Sequence, residues 1–578
     1  MSNQLLTTLL FSVLLLLSAC ETAEKSNADL ILHNGNIYTV DTDQPIATAV
    51  AVQDGKIIAI GDDDLVDEYK GETTKVIDLE GQFMMPGFIE GHAHFSGLGT
   101  SLMNLNFLRS KNWNEIVQMV GDKAKTAEAG EWITGRGWHQ EKWNEVLDRQ
   151  VLGYPYHDEL SAVSQDNPVV LRHASGHSLF ANAKAMEIAG INAESPNPAG
   201  GEIVRDSRGE AIGVFEETAM AMIMDAYSDY VNSLSEEENL AKWYEGIELA
   251  EENALSNGIT SFQDAGASFA ELGRYKEMAE NGELDIRLWA MISSSQDDFA
   301  DGIRAYPLVG AGDNFFTVRS VKAYMDGALG AFGAWMLRPY ADKPEAVGQN
   351  VTPIIKIKEV ADLTIAQDLQ LCTHAIGDRG NRMVLNLYEQ AFEENPTKEN
   401  LRWRIEHAQH IDTTDIPRFQ ELGVIASMQG VHCTSDAPFV VKRLGESRAR
   451  YGAYPWRSLI DAGAVVTNGT DAPVEDISPI ESYYASVTRR RDNPEMVFFA
   501  EQSMTRAEAI HSYTLAPAYA AFEEDIKGSI EVGKVADFVV LSNDLMTCDE
   551  EAILETKVVM TIVDGEVKYE QREMIGRR

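Results

Sequence analysis

Pro86-Gly87-Phe88-Ile89-Glu90-Gly91-His92-Ala93-His94 puts two histidines one residue apart at the end of a short apolar run. Alternate side chains of a strand leave the same face, so both imidazoles can reach one metal ion. The glycines around them keep the backbone uncrowded. By itself a His-x-His is equally compatible with a hydrogen-bonded core pair. Its weight comes from downstream, where four further strand-like runs end in a ligand-type residue: Lys322, His374, His407 and Asp471.

Around that segment the chain alternates strand and helix patterns, as a barrel of parallel strands does. The candidate strands are Phe88–His92, Ile259–Gln263, Ile286–Met291, Val318–Tyr324, Leu369–His374, Arg404–His407, Val424–Met428 and Ala464–Thr467. Ser235–Asn257 and Lys358–Gln367 carry apolar residues at helical spacing, and Ser235 with Glu238 has the spacing of a capping box. The expectation is an α/β fold, a (β/α)8 TIM-type barrel, whose chemistry sits at the C-terminal ends of its strands. An insertion of roughly 160 residues (about 96–255) follows the first strand, far longer than an ordinary connection and long enough to roof a pocket.

Both ends of the chain are β-rich. Leu30–Leu32, Ile37–Val40, Ala49–Val52 and Ile57–Ile60 are separated by Asn34-Gly35 and Asp54-Gly55, and near the C-terminus Asp564-Gly565 follows Val558–Val563. Asx-Gly between apolar runs is the hairpin signal, so residues 21–85 and 528–578 are expected to meet in one small β-sandwich flanking a barrel over 86–527.

With 578 residues the chain has room for two or three structural units. Its 91 acidic against 48 basic residues give a net charge of −43, which would repel a phosphate backbone or anionic lipid surface and argues against nucleic acid as partner. The four cysteines (Cys20, Cys372, Cys433, Cys548) are far apart and suggest neither a disulfide framework nor a thiolate metal site. Residues 1–20 read as a targeting segment: a leucine-rich stretch too short for a comfortable span, ending Leu17-Ser18-Ala19-Cys20. That ending resembles the bacterial lipoprotein box, although the leader carries no Lys or Arg. The resemblance implies lipidation at Cys20 and a soluble body in the cell envelope, held to a membrane by a lipid anchor only.

Each candidate has its chemistry. Neutral imidazoles suit zinc and similar divalent metals. Lys322, inside the apolar run Ser320–Met325, must lose its charge or find a partner such as Asp326; the sharper alternative is a lysine carbamate bridging two metals. Asp471, in Asn468–Pro473, can bind metal and take a proton from water, or simply cap a helix. His410, three residues past His407, reads as supporting. His177, His432 and Asp436 are candidates for contact with substrate, and Trp138 and Trp335 for an apolar wall, with core packing as the ordinary alternative for each aromatic.

The stretches Pro86–Phe95, Gly176–Ser178, Val321–Gly330, Thr373–Arg379, Ile405–His410, Ala426–Asp436, Gly469–Val474 and Gly528–Asp537 together resemble the amidohydrolase superfamily, specifically its amidohydrolase-3, YtcJ-like group. One departure is Gly430, where relatives commonly have proline. The resemblance implies one or two divalent ions, zinc by preference. His92, His94 and Asp471 hold one, His374 and His407 the other, with carbamylated Lys322 and a hydroxide between them. It further implies attack of that hydroxide on an amide-type carbonyl of a small molecule, with Asp471 moving the proton to the departing nitrogen, and a fold that often forms homodimers. Two other readings are a same-fold deaminase, esterase or isomerase, and a catalytically silent lipid-tethered binding protein; the complete ligand set argues against the last.

Overall fold

The computed structural model describes residues 27–571 except 108, 139, 141–142, 145–146, 174–177, 199–200, 295, 331 and 492–495, so Cys20 and His177 lie outside the described residues. The chain forms two compact units, one of residues 94–253 and one of the remainder.

In the larger unit eight parallel strands form the barrel: β1 (Phe88–Ala93), β2 (Ile259–Ala267), β3 (Arg287–Ile292), β4 (Phe316–Tyr324), β5 (Gln370–Ala375), β6 (Arg404–His407), β7 (Ile425–Gln429) and β8 (Val466–Gly469). They are hydrogen-bonded in chain order. All residues of β1, β3, β6, β7 and β8 are buried; β3 reads accordingly as an almost continuous apolar run, whereas β6 (Arg404-Ile405-Glu406-His407) and β8 (Val466-Thr467-Asn468-Gly469) bury mostly polar side chains. The last strand comes against the first through small residues. A Cβ on Gly91 would lie 2.3 Å from the Asn468 carbonyl oxygen, and one on Gly469 would lie 2.7 Å from the His92 nitrogen. Asp471 N–H then donates to the His92 carbonyl at 2.8 Å.

The eight expected strands are all present, shifted by a few residues. The largest difference is in β2, which runs on to Ala267, and β8 is displaced by two residues, starting at Val466 and not Ala464. Ala464 N–H still closes the preceding helix on Leu459 O (3.0 Å), after Gly463 turns the chain at φ +85°. The helix Glu236–Ser256 carries the expected capping box, Glu238 N–H donating to Ser235 Oγ (3.1 Å) and Ser235 N–H to Glu238 Oε2 (2.8 Å). The helix Ile354–Ala366 begins directly after Pro353, four residues earlier than the spacing from Lys358 implied.

The sandwich joins both chain ends. One sheet orders Lys56–Gly61, Ala49–Gln53, Ala28–His33 and Lys70–Asp78; the other orders Glu566–Glu570, Val558–Val563, Phe538–Leu541, Phe83–Pro86, Asn36–Tyr38 and Ile46–Ala47. Leu30, Leu32, Val50, Val52, Met84, Phe538, Val540 and Ile562 form its buried core. Asp54-Gly55 and Asp564-Gly565 turn hairpins with positive φ at both residues, as expected. Asn34-Gly35 does not. Asn34 Nδ2 donates to Asp78 (2.7 Å), its N–H to Asp63 (2.9 Å), and the chain passes from one sheet to the other. The dipeptide signals a sharp turn; which strands it joins is set by the flanking side chains.

Residues 94–253 build a six-stranded sheet in the order Gly201–Arg205, Ala211–Glu217, Ser178–Ala181, Val169–His173, Ile133–Trp138, Leu105–Asn106. Separate apolar clusters, around Trp113, Trp138 and Leu171 and around Val170, Leu179 and Phe215, include alternate residues of its strands. Among the described residues no helix is long and apolar enough to cross a membrane.

Candidate active site

The site begins with a buried ion pair inside β6. Arg404 and Glu406, two apart, share a face; Arg404 Nε donates to Glu406 Oε1 (2.7 Å) and Nη2 to Oε2 (2.8 Å). The same guanidinium donates to Gln263 (2.5 Å), Ser427 (2.8 Å) and the Gly91 carbonyl (2.8 Å), tying together β1, β2, β6 and β7. Burial would raise the Glu406 carboxyl, but Arg404 and then His92 hold it well below the usual carboxylate range. An ionised Glu406 can only accept, so His92 Nδ1 donates to it. That leaves the His92 Nε2 lone pair facing the barrel opening, the arrangement by which a carboxylate fixes a metal-binding imidazole. Burial first and the Lys322 cation next depress His92 to about 4, keeping it neutral.

His407 follows the same logic with a neutral partner. Gln429 Nε2 donates to Ser427 O (3.2 Å), so Oε1 is left to accept from His407 Nδ1 (2.8 Å). Alternation along β6 would send His407 to the face opposite Glu406. It instead takes φ +72°, with Ala408 at +42°, and its ring packs against His92 (4.8 Å between centroids) and His374 (4.5 Å). Left-handed backbone at non-glycine residues is strained and concentrates where function needs a side chain placed. Asp471, at φ +60°, is a second case. Burial, then His92, pushes His407 down to about 3, and burial, then His407, holds His374 well below its ordinary value.

Lys322, on β4, is buried with Nζ 3.3 Å from His92 Nε2 and 5.3 Å from the Tyr324 ring centroid. Burial lowers its pKa, against the opposing pull of Glu406 and Asp471. Asp471 Oδ1 lies 3.7 Å from His92 Nε2, and Oδ2 lies 3.7 Å from His432 Nε2. One donor atom each from His92, His407 and Asp471 fall within 4.8 Å of one another. The Nε2 atoms of His374 and His432 are buried without a hydrogen-bond partner among the described residues. Neutral imidazoles with inward lone pairs, a carboxylate and a buried amine make a donor set that fits a divalent metal.

Other expected residues fall as follows. His94 follows β1, half-buried, and caps the helix Phe95–Met103, its carbonyl accepting from Leu98 N–H (2.7 Å). His432 stacks parallel to His407 at 6.2 Å. Asp436, one helical turn after His432, accepts from Tyr454 Oη (2.6 Å) and Gln409 Nε2 (2.8 Å). Trp138 is fully buried in the insertion's core with its indole N–H on Leu171 O (2.8 Å), so it packs there and offers no exposed wall. His410 is buried and meets Tyr454 edge-on at 5.5 Å.

Four supporting residues escaped the reading by motif. Arg404, Glu406 and Gln429 were visible only as polar residues in apolar strands. Glu90, two before His92, takes Thr470 N–H (2.7 Å) and Oγ1–H (2.9 Å), binding β1 to the turn that carries Asp471; burial pushes it up to about 8. Asp326 is the fifth ordering group and corrects one alternative. It does not pair with Lys322 but accepts N–H groups of Trp335 (2.7 Å), Ile376 (2.9 Å) and Gly377 (2.8 Å), beside His374 Nε2 at 3.7 Å.

The amidohydrolase family profile matches residues 75–569. Protein LONG AFTER FAR-RED 3 of Arabidopsis thaliana is 31% identical over 94% of this chain and 92% of its own. The N-substituted formamide deformylase of Arthrobacter pascens is 27% identical over 94% and 98%. The crystal structure of an uncharacterized metal-dependent hydrolase from Pyrococcus furiosus superposes with a TM-score of 0.69 at 26% identity, covering 90% of this chain and 100% of that one. A barrel with these donors at its strand ends, matched over nearly its whole length, is a metal-dependent hydrolase fold: the chain belongs to the amidohydrolase family, as a YtcJ-like member.

Proposed function

We propose that the protein hydrolyses a non-peptide carbon–nitrogen bond, of amide type, in a small molecule. The observation that carries this is the convergence of His92, His407 and Asp471 at the ends of β1, β6 and β8, with Lys322 and His374 against them. His92, His94, His374, His407, Asp471 and Lys322, the last as its carbamate, would hold one or two zinc ions. Bound there, the metal supplies Lewis acidity and lowers the pKa of water toward neutrality. Asp471 takes the proton as the water oxygen attacks the carbonyl carbon, and returns it to the nitrogen as the C–N bond breaks. His432, with Nε2 3.7 Å from Asp471 Oδ2, stands beside that carboxylate and would contact substrate. Arg404 and Glu406 keep His92 in the tautomer that presents Nε2. The relative that deformylates N-substituted formamides supports N-formyl and N-acyl amines as the first substrates to test.

The test is a hydrolysis screen across N-formyl and N-acyl amines with the wild type beside Asp471→Asn. A hit that loses turnover by about 10²–10⁴-fold in the variant supports the assignment. Undiminished turnover removes Asp471 from its role.

A further inference from the structure

Residues 94–253 contain a cavity of about 300 Å³ that the metal site does not use. Its floor is the sheet: Thr134 and Arg136 on one strand, Val170 and Arg172 on the next. The register pairs Thr134 with Val170 and Arg136 with Arg172, so two guanidiniums stand side by side. Like charges directly opposite each other on a sheet are ordinarily unfavourable. The juxtaposition stands out in a chain where 91 acidic residues face 48 basic ones. Among the described residues the hydrogen bond recorded for Arg172 is to Met224 Sδ, 3.8 Å away. A thioether is a weak acceptor for a group with five N–H donors. Met224 and Tyr227, from the helix Met220–Ser233, and Val170 give the cavity an apolar side.

We propose that this cavity binds a small amphiphilic carboxylate: the carboxylate on Arg136 and Arg172, the hydrocarbon part against Val170, Met224 and Tyr227. Paired guanidiniums match a planar carboxylate. Three further features fix the class. Two guanidiniums lining one cavity can donate together to an anion. The apolar side calls for a hydrocarbon part, which inorganic phosphate lacks. The volume admits a molecule of small-ligand size. Every residue used belongs to the insertion unit, so the proposal does not depend on the reaction assigned to the barrel.

Hexanoate, hexanamide and inorganic phosphate are titrated calorimetrically into the full-length, metal-loaded enzyme, with Arg172→Gln, Arg136→Gln/Arg172→Gln and Asp471→Asn alongside. Both arginines are exposed, so their replacement leaves folding intact, checked by the thermal melt. Hexanoate is expected to saturate one site, about tenfold more weakly in Arg172→Gln and not measurably in the double variant, with Asp471→Asn binding as wild type does. Hexanamide and phosphate are expected to bind at least tenfold more weakly than hexanoate. Hexanoate binding untouched by the arginine changes but lost in Asp471→Asn would place the carboxylate at the barrel and overturn the proposal. Phosphate binding as well as hexanoate would overturn the apolar half of the assignment, and no saturable hexanoate binding would overturn all of it.

Discussion

The sandwich core and the open end of the barrel are both made of buried strands, yet they are held together by different forces. In the sandwich, Leu30, Leu32, Val52, Phe538 and Ile562 exclude water from an apolar interior, and stability scales with the area removed from solvent. At the barrel end the buried groups are Arg404, Glu406, Glu90, His92, Lys322 and Asp471. Burying such groups costs free energy unless every charge is paired and hydrogen-bonded. The barrel end therefore specifies geometry at the expense of stability, and the sandwich, with the apolar strands of the barrel wall, supplies the stability.

The largest effect should come from breaking the polar pair on one side. Arg404→Met strands Glu406 as an uncompensated buried charge and should lower unfolding free energy by about 3–5 kcal/mol in denaturant titration. Arg404→Met with Glu406→Leu should recover much of that loss while activity stays low; if the double variant is as unstable as the single, the pair is not what costs stability there. Next, Ile562→Ala in the sandwich should cost about 2–4 kcal/mol with kcat unchanged. Parallel loss of kcat would mean the two regions are not separable. Glu406→Gln keeps the volume but loses the charged acceptor for His92 Nδ1, and should weaken metal affinity or activity about 10–100-fold with a smaller effect on stability.

The smallest effect lies outside both regions. Glu508 is gripped by Arg457 through two 2.7 Å bonds and completes a capping box with Thr505, which with the Arg457 bond foremost lowers it to about 2. A carboxyl lowered from its ordinary value on folding stabilises above that value and loses the contribution as pH falls through the folded one. Glu508→Gln should cost about 1 kcal/mol near pH 6, after solvent screening, and nothing near pH 2, read from melts across pH. A constant difference across pH would show that the charge is not what matters.

The same contrast explains what the sequence disclosed. The barrel was legible because buried strand-like runs recur along the chain with a ligand-type residue at or near each end, and His92, Lys322, His374, His407 and Asp471 were singled out from those positions. Arg404 and Glu406 were not, because a polar pair two residues apart on a short strand looks like one solvent-facing side; only their contacts with His92, Gln263 and the Gly91 carbonyl, distant in sequence, give them meaning. His407 shows a second limit. Alternation places it on the wrong face, and a left-handed backbone brings it back, which spacing does not encode. Asn34-Gly35 shows a third: the turn was legible, its strand partners were not.

The central claim is that side chains far apart in sequence converge to hold a metal that the reaction needs. It is tested most directly by metal content per chain, measured by mass spectrometry on purified full-length protein after extensive dialysis, beside His92→Ala/His407→Ala. The wild type should retain a stoichiometric divalent metal and the double variant should lose it along with activity. A wild type free of metal yet fully active on its substrate would contradict the account.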